Sequence, residues 1–440
     1  MNRPERRGRK VPAGRLERTA RLVGLGAGLA GGAAVSAMSA WTRGERTGFA
    51  DHAFSPANAR RFAGELARLR GAALKLGQLV SMDVGAVAPA EFAEAAELLR
   101  AGADPMTPGQ LKRVLDRRWG RNWLSRFETF EPRPFAAASI GQVHRARTHE
   151  GRTLAIKLQY PGVKRSIDSD LDSVASLVRL SGVLPRTFDL DPYLDEARRA
   201  LHEEADYARE AACMSAFAAA LGETSVFTTP RLDESLSGDT ILAMDFLPGA
   251  GIETAASQSE AERLRVFGAL LHLTLRELFE MGLMQTDPNF ANFLYDGPGE
   301  PIGLIDFGAV RGIAPEHAEA LLALLRAGLE ADTAGVETSL ARLGVFRDDT
   351  ESAHRRAVLA LAESLFAPLR EGVFDFTDTD RLTRLREAGL ALQREGFAPA
   401  PPPALIFVQR KLAGLYLLGA RLGLTLDLRA TLSRWVDRSR

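Results

Sequence analysis

The chain has 440 residues, of which 46% are hydrophobic and 25% charged, an ordinary globular composition with enough length for two or three packed units. Acidic and basic residues balance at 56 each, so no global electrostatic field would attract nucleic acid. The only cysteine, Cys213, excludes an intramolecular disulfide, and the seven histidines show no pairing at the spacing of a zinc site.

The N-terminus combines a basic segment, residues 1–21, with an uncharged run rich in Gly and Ala over residues 22–42. A run of this length just suffices to cross a bilayer as a helix. Small residues recur along it every four positions, which suggests a packing face for a homodimer. They are Gly24, Gly28, Gly32, Ser36 and Ala40. We expect a chain on the cytoplasmic side of a membrane, peripheral or single-pass through 22–42, and otherwise cytoplasmic. A soluble helix or a tether is the alternative.

The next segment is predicted to be helical, with a long helix over residues 63–82 and shorter ones over 91–100 and 107–119. Thr107 is expected to cap the last of these, with proline at its first position. Lys75 and Gln78 share one face of the long helix. A polar stripe facing water would give the same periodicity.

Strands are predicted from about residue 127, and one hairpin carries a loop rich in alanine. Compared with the nucleotide loop of kinases, Gly-x-Gly-x-x-Gly-x-Val, the last Gly and the Val are present, but Ala replaces the first two glycines. The aligned residues are Ala136, Ala137, Ala138, Ser139, Ile140, Gly141, Gln142 and Val143. Lys157 follows one hairpin later, where the phosphate-pairing lysine of a kinase belongs. A core strand with a snorkelling lysine is the alternative.

A buried Lys157 would need an opposite charge to stay protonated. The chain is predicted to be helical over residues 168–221, with a break at 184–185, and this region carries several acids. Spacing cannot choose among them, and acidic helices are usually just solvated. Further strands are predicted over 226–230 and 240–246.

The second half of the chain is mostly helical, and we expect it to begin near residue 249, after the linker Leu247-Pro248-Gly249-Ala250. Lysine is rare throughout, so a lysine inside an apolar run is less easily dismissed as surface. The predicted helices cover residues 260–281, 315–331, 350–369, 380–395 and 403–422.

One stretch, residues 284–308, places two acids and an amide close together in sequence. Asp287 is followed five positions later by Asn292, and an apolar run delivers Asp306 before Phe-Gly. Kinases hold metal-bound phosphates with this arrangement, because Asn and Asp supply the hard oxygen ligands that Mg²⁺ prefers. We therefore predict that Asn292 and Asp306 bind Mg²⁺ and that Asp287 faces the transferring phosphoryl group. An Asn/Asp turn between two strands is the alternative.

Residues 314–316 read Ala-Pro-Glu, only a few positions after the Asp-Phe-Gly motif. A protein kinase needs a long segment between these motifs to seat its peptide. We interpret Ala-Pro-Glu here as a helix start, with proline in the first turn. The missing platform argues against phosphorylation of proteins.

Together these motifs resemble the UbiB (AarF-type) atypical kinase family, which supports coenzyme Q biosynthesis. The resemblance covers roughly residues 60–310 and is carried by Lys-x-Gly-Gln with Ser81, Ala-Ala-Ala-Ser, the strand lysine, Glu-Ala-Asp and the Asp-Phe-Gly stretch. The Gln-Thr-Asp-Pro-Asn form is similar to the coenzyme Q eighth-protein branch.

The resemblance implies an α+β, protein-kinase-like fold of two lobes. Its parts would be a basic N-terminus with a membrane helix (1–50), a helical extension over the active site (51–125), an N-lobe (126–249) and a largely helical C-lobe (250–440). It also implies roles for single residues. Lys157 would contact the phosphates of ATP or ADP and pair with Glu210, while Lys75 and Gln78 would approach Glu204. Alanine in the nucleotide loop would disfavour ordinary phosphotransfer, since its Cβ blocks close approach of the backbone to phosphate.

We therefore expect an ATPase that couples nucleotide hydrolysis to the handling of a lipid or quinone precursor at a membrane surface, or to organising quinone-biosynthesis proteins. Two alternatives stay open. The first is a kinase for a small molecule or lipid, with Asp287 as general base. The second is a nucleotide-binding scaffold without turnover.

Overall fold

The computed structural model describes residues 71–77, 105–181, 190–346, 350–389 and 403–438, except 74, 139, 225, 288, 379, 382, 385 and 386. The segment 22–42 and the residues Gln78 and Ser139, all singled out above, lie outside the described residues. In the part that is described, no helix is long and apolar enough to cross a membrane.

The elements agree with the predicted α+β class. Residues 71–73 and 75–77 are helical. The longer helices are α1 (Pro108–Trp119), α2 (Val163–Ser181), α3 (Asp191–Glu204), α4 (Tyr207–Leu221), α5 (Glu260–Arg276), α6 (Pro315–Glu330), α7 (Thr333–Arg342), α8 (Ser352–Arg370), α9 (Pro403–Arg421) and α10 (Leu428–Arg438). The strands are β1 (Phe127–Phe130), β2 (Ala136–Ala137), β3 (Gly141–Thr148), β4 (Thr153–Gln159), β5 (Phe227–Thr228), β6 (Ile241–Asp245), β7 (Ala250–Gly251), β8 (Leu283–Gln285), β9 (Phe293–Tyr295), β10 (Ile302–Leu304), β11 (Val310–Gly312), β12 (Val373–Asp375) and β13 (Thr425–Asp427).

The chain forms two compact units. Of the described residues, the first takes those between 71 and 211 together with 231–246, and the second takes 212–230 and those between 247 and 438. The boundary at 246 falls near the predicted one at 249. Residues 212–230 group with the second unit instead of the first because β5 pairs with β10.

The first unit is built on an antiparallel sheet in the order β1-β3-β4-β6, with β2 paired to β3. Helix α1 packs its apolar face on this sheet, and the Trp119 indole donates to the Leu236 carbonyl over 2.9 Å. Its start is as predicted: Thr107 caps it in a capping box, and Pro108 occupies the first position. Strand β4 lies in the middle of the sheet, so its core-facing side chains are fully buried. They are Leu154, Ile156 and Leu158.

The predicted helical stretch from 168 to 221 has a break that the sequence analysis missed, at Ala205 and Asp206. Helix α3 ends at Glu204, and α4 begins at Tyr207. Asp206 starts the new helix because its carboxylate accepts from the Arg209 N–H over 3.1 Å, which is the role of an N-cap. The break expected at 184–185 lies outside the described residues.

The second unit combines long helices with three small sheets. Strand β10 is central in the order β5-β10-β9-β7, and two-stranded sheets join β8 to β11 and β12 to β13. Helix α5 continues into a wider turn over Glu277–Met281, and helix α6 begins after Ala314, where the Ala-Pro-Glu motif predicts a helix start. Apolar clusters between α6, α7 and α8, and around α9, form its core.

Candidate functional site

The first unit buries an ion pair between Lys157 and Glu210. Lys157 lies on β4 opposite Val143 of β3 and Leu242 of β6. Its Nζ donates to both Glu210 carboxylate oxygens, over 2.8 Å and 2.9 Å. The two residues are 8% and 1% exposed, and Nζ also lies 5.2 Å from the centre of the Tyr207 ring. A glutamate so placed keeps a buried ammonium charged and fixes its direction.

The start of α4 explains why Glu210, among the acids of this region, reaches Lys157. Asp206 caps α4, so the helix begins one turn before Glu210. Gln159, two residues beyond Lys157 and on the same face of β4, donates from Nε2 to the Ala205 carbonyl over 2.8 Å. Two side chains on one face of β4 therefore contact this region: Gln159 binds the break between α3 and α4, and Lys157 binds Glu210. Lys157 and Glu210 form the pair that the family resemblance implies.

One of the N-terminal helical residues forms an ion pair with the end of α3. Lys75 Nζ lies 3.9 Å from a Glu204 carboxylate oxygen at the end of α3, and both side chains are partly exposed. The neighbouring Ala72, Ala73 and Leu76 are buried. The predicted approach of Lys75 to Glu204 is therefore present, whereas the predicted role of Gln78 falls outside the described residues.

The alanine loop forms a tight hairpin between β2 and β3. Ala136 pairs with Val143 and Ala137 with Gln142, and the Ala138 N–H donates to the Gly141 carbonyl over 2.9 Å. Ala136 and Ala138 stand where ordinary kinases have glycine, and each adds a methyl group that glycine lacks.

Two other residues predicted for nucleotide binding have structural contacts of their own. Ile140 is 1% exposed, and its carbonyl accepts from the Tyr160 N–H. A Cβ at Gly141 would lie 2.3 Å from the Leu158 carbonyl oxygen, so only glycine fits where β3 crosses β4. Both residues anchor the hairpin to the sheet that carries Lys157.

In the second unit, Asn292 and Asp287 are joined directly. The Asn292 amide donates from Nδ2 to Asp287 Oδ2 over 3.0 Å. The turn that brings them together is the short helical segment Phe290–Asn292, where the Asn289 side chain accepts from the Ala291 N–H over 3.1 Å. Donation from Nδ2 turns the Oδ1 atom of Asn292 away from Asp287.

Asp306 follows the buried strand β10, as the apolar run predicts. The Ile305 N–H donates to the Asn292 carbonyl over 3.2 Å, which ties this segment to the Asp287–Asn292 turn. Asp306 Oδ1 accepts from the Gly308 N–H over 2.9 Å, and the intervening Phe307 is buried, 5.5 Å from Phe217 between ring centres.

The oxygen atoms of Asp287, Asn292 and Asp306 suit a hard divalent cation. Among the described residues, no hydrogen-bond donor reaches Asp287 Oδ1, Asn292 Oδ1 or Asp306 Oδ2. Two carboxylate oxygens and one amide oxygen are the ligand types that Mg²⁺ takes from proteins. The residues present therefore fit the metal that the sequence motif predicts.

A third group, Glu277, Lys411 and Gln285, adjoins these acids and was not predicted from the sequence. Lys411 Nζ lies 2.8 Å from Glu277 Oε2, and both residues are buried. Burial raises the pKa of Glu277, and the Lys411 ammonium opposes that shift. The available signal was the rarity of lysine: Lys411 is one of the few lysines of the chain and stands between the apolar runs 404–408 and 412–418 of α9.

Comparison with known proteins identifies the family. The ABC1 atypical kinase-like domain matches residues 98–340. The atypical kinase COQ8B, mitochondrial, of Rattus norvegicus is 36% identical over 425 residues, which are 94% of this chain and 79% of that protein. The chain belongs to the ABC1 atypical kinase family. This is the UbiB/AarF-type family that the motifs resemble, so the protein is an ATP-dependent atypical kinase with a kinase-like fold.

Other proteins are similar over most of this chain. The atypical kinase COQ8, mitochondrial, of Saccharomyces cerevisiae is 35% identical over 421 residues, covering 94% of this chain and 83% of that protein. The coq-8 kinase of Caenorhabditis elegans is 32% identical, and the match spans 56% of its length. A solved structure of Rv3197 with erythromycin from Mycobacterium tuberculosis is 27% identical with a TM-score of 0.59, covering 86% of this chain and 94% of that one.

Proposed function

We propose that this chain is a Mg²⁺-dependent, kinase-like ATPase that supports coenzyme Q biosynthesis. The observation that carries the proposal is the buried two-oxygen contact of Lys157 with Glu210. Kinases fix the lysine that contacts nucleotide phosphates with a glutamate of this kind. In an atypical kinase, this pair is the natural anchor for the phosphates of ATP or ADP.

Asn292 and Asp306 would hold Mg²⁺, and Asp287 would occupy the position of the catalytic acid. Bound Mg²⁺ would neutralise charge on the phosphate oxygens. The protein's own part is orientation: Asn292 donates to Asp287, and the Gly308 N–H fixes one oxygen of Asp306. Asp287 and Asp306 thereby each keep one carboxylate oxygen, and Asn292 keeps its amide oxygen, without a donor from the described residues.

The alanine loop and the Lys75–Glu204 pair would modify this chemistry. We propose that Ala136 to Gly141 and Val143 contact the nucleotide. The alanine methyl groups would keep its phosphates further from the loop backbone than glycine would. Lys75, which lies near Glu204, would restrict the access of a second substrate, and we propose that Gln78 acts with it. Hydrolysis would then be favoured over transfer to a protein.

An experiment with labelled ATP distinguishes an ATPase from a kinase and from a scaffold. Purified full-length protein would be incubated with Mg²⁺ and ATP labelled at the γ-phosphate, with and without a phenolic quinone precursor. Release of labelled inorganic phosphate supports the ATPase. Absence of both release and transfer, with nucleotide still bound, would instead support a scaffold.

A kinase for a small molecule or lipid is the second candidate. It is favoured by Asp287, whose Oδ1 atom receives no donor from the described residues and could accept a substrate proton. A labelled small molecule in the same experiment would identify this activity. Loss of that label in Asp287→Asn, with ATP binding retained, would assign the proton acceptor.

The membrane part of the proposal rests on sequence. Basic residues precede the uncharged run 22–42, and we propose that this segment attaches the protein to a membrane where a lipid or quinone precursor is handled. Flotation with anionic vesicles should recover the full chain and not a variant lacking residues 1–50. A quinone profile of a deletion strain, complemented with each protein, tests the pathway and tells whether attachment is required.

A further inference from the structure

A buried ion pair lies behind the proposed metal ligands without belonging to them. Glu277 is fully buried in the wide turn that ends α5, and Lys411 is 4% exposed in the middle of α9. Their charged atoms are 2.8 Å apart. Removing two charges from water costs several kcal/mol per ion before any attraction is counted. An apolar pair would avoid that cost but would lack the polar contacts that these two side chains make.

Both side chains contact the backbone of one residue, Gln285. The Gln285 N–H donates to Glu277 Oε1 over 3.3 Å, and the Gln285 carbonyl accepts from Lys411 Nζ over 3.1 Å. The ion pair therefore hydrogen-bonds to both backbone polar groups of Gln285, the N–H and the carbonyl, at the end of β8. Asp287 follows two positions later. Apolar side chains at 277 and 411 could fill the same space but could not make either bond.

The side chain of Gln285 extends the contact to the second acid. Its Nε2 donates to the Asp306 carbonyl over 2.9 Å, and Gln285 itself is 5% exposed. The neighbouring Thr286 is also fixed, since its N–H and its hydroxyl both donate to the Ala309 carbonyl. The segments that carry Asp287 and Asp306 are thus joined through Gln285.

We propose that Lys411 and Glu277 are positioning residues, which clamp Gln285 and so fix Asp287 and Asp306 at the separation that Mg²⁺-nucleotide requires. This inference rests on the proposed function of those acids as nucleotide and metal residues. Helix α9, far along the chain from both acids, then contributes to the site without touching the metal. Partners that orient metal ligands typically contribute about 10–100-fold to metal affinity.

The test must separate positioning from general stability. Lys411→Met alone leaves the Glu277 carboxylate buried, so it should destabilise the fold. The double variant Lys411→Met with Glu277→Gln removes both charges, keeps an acceptor for the Gln285 N–H, and loses the donor to the Gln285 carbonyl. Leu418→Ala on the same helix is the control, because Leu418 is buried but makes none of these bonds.

Binding of a fluorescent ATP analogue would be measured against Mg²⁺ concentration, alongside urea unfolding and amide exchange at residues 285–287. We expect the double variant to unfold closer to the wild type than Lys411→Met does, while its half-saturating Mg²⁺ concentration rises about 10-fold and its amides at 285–287 exchange faster. Leu418→Ala should lower stability and leave the half-saturating Mg²⁺ concentration unchanged.

Wild-type Mg²⁺ dependence in the double variant would overturn the inference while leaving the proposed function intact. If the double variant does not fold, Gln285→Met removes the donor to Asp306 without touching the ion pair, and the same rise is expected. A wild-type protein that binds the analogue equally with and without Mg²⁺ would overturn the proposed function, and the inference with it.

Discussion

Lys157 and Glu210 stand 53 residues apart in sequence, yet the lysine donates to both oxygens of the glutamate at 2.8 Å and 2.9 Å. One residue lies on the central strand β4 and the other in the first turns of α4. Because both are buried, neither charge is satisfied by water. The pair is therefore both a structural element of the first unit and its strongest candidate for contact with phosphate.

Replacing Lys157 by methionine should impair stability and nucleotide binding together. The change leaves the Glu210 carboxylate buried without its ammonium partner, which costs about 3–5 kcal/mol in the free energy of unfolding. Adding Glu210→Gln should recover most of the stability but none of the nucleotide binding. Urea unfolding and calorimetric titration with ATP and Mg²⁺ measure the two effects.

Lys112 provides the control for losing a lysine from an ion pair. Its ammonium lies 2.6 Å from Asp116, but its side chain is 63% exposed. Exposed pairs contribute at most about 1 kcal/mol, so Lys112→Met should change neither property appreciably. An equal loss of nucleotide binding in Lys112→Met and Lys157→Met would remove the special role of the buried pair.

Gly141→Ala should destabilise the first unit. The new methyl group would lie 2.3 Å from the Leu158 carbonyl oxygen, so β3 and β4 would have to separate. Overpacking of this kind costs about 1–3 kcal/mol, measured by urea unfolding. Gly268 in α5 has nothing within 4 Å of its Cβ position, and Gly268→Ala should stabilise its helix by roughly 0.5–1 kcal/mol. Equal stability of wild type and Gly141→Ala would contradict the close approach of the strands.

His144 should make the first unit sensitive to acid. Burial lowers its pKa, and the neutral ring fits its contacts: Nδ1 lies 2.8 Å from the Glu131 carbonyl and Nε2 lies 2.7 Å from Gln142 Nε2. The unfolded chain, with an ordinary histidine pKa of about 6.5, therefore takes up a proton before the folded one does. The contribution of His144 is complete above that value and is lost as the pH falls below it.

Urea unfolding at a series of pH values checks this expectation. Between the folded and unfolded pKa values of His144, the free energy of unfolding should fall by up to about 1.4 kcal/mol per pH unit on acidification. His144→Gln should flatten this part of the profile, and replacing the exposed His149 by glutamine controls for the loss of an imidazole. A profile that keeps its slope in His144→Gln would assign the acid sensitivity to other groups.

Ala138→Gly should change how the hairpin between β2 and β3 handles nucleotide. Removing the methyl group allows positive φ and closer approach of the backbone to phosphate. We expect altered affinity for ATP relative to ADP, or the appearance of self-phosphorylation, measured by calorimetry and with labelled ATP. Glu150→Gly is the control, because it adds a glycine to the same sheet in the exposed turn between β3 and β4, away from the alanine loop. If Ala138→Gly behaves like the wild type, the Ala138 methyl group does not influence nucleotide binding or phosphotransfer.

The sequence was most informative where chemistry is local. Thr107 and Pro108 predict the start of α1 because capping depends on residues within one turn. The apolar run before Asp306 likewise predicts a buried strand. The acid that pairs with Lys157 could not be chosen from spacing, since that depends on where α4 begins. The cap residue Asp206 was the available signal for that start, and it was overlooked.

The group formed by Glu277, Gln285 and Lys411 shows why the rest of the site could not be predicted. Lys411 contacts a carbonyl 126 residues away, and no local period links the two positions. A lysine between apolar runs of a helix indicates burial but does not identify the residue that it contacts. Only the packing of α9 against the turn after α5 determines what that lysine holds.

The most direct test of the account is calorimetric titration of Mg²⁺-ATP into the wild type and Asp306→Asn. Asparagine keeps an oxygen for the Gly308 N–H, so the turn should persist while the carboxylate charge is lost. We predict that the wild type binds Mg²⁺-ATP more tightly than ATP in a chelator, and that Asp306→Asn binds both equally weakly. Binding of Mg²⁺-ATP by Asp306→Asn at wild-type affinity would contradict the proposed metal site.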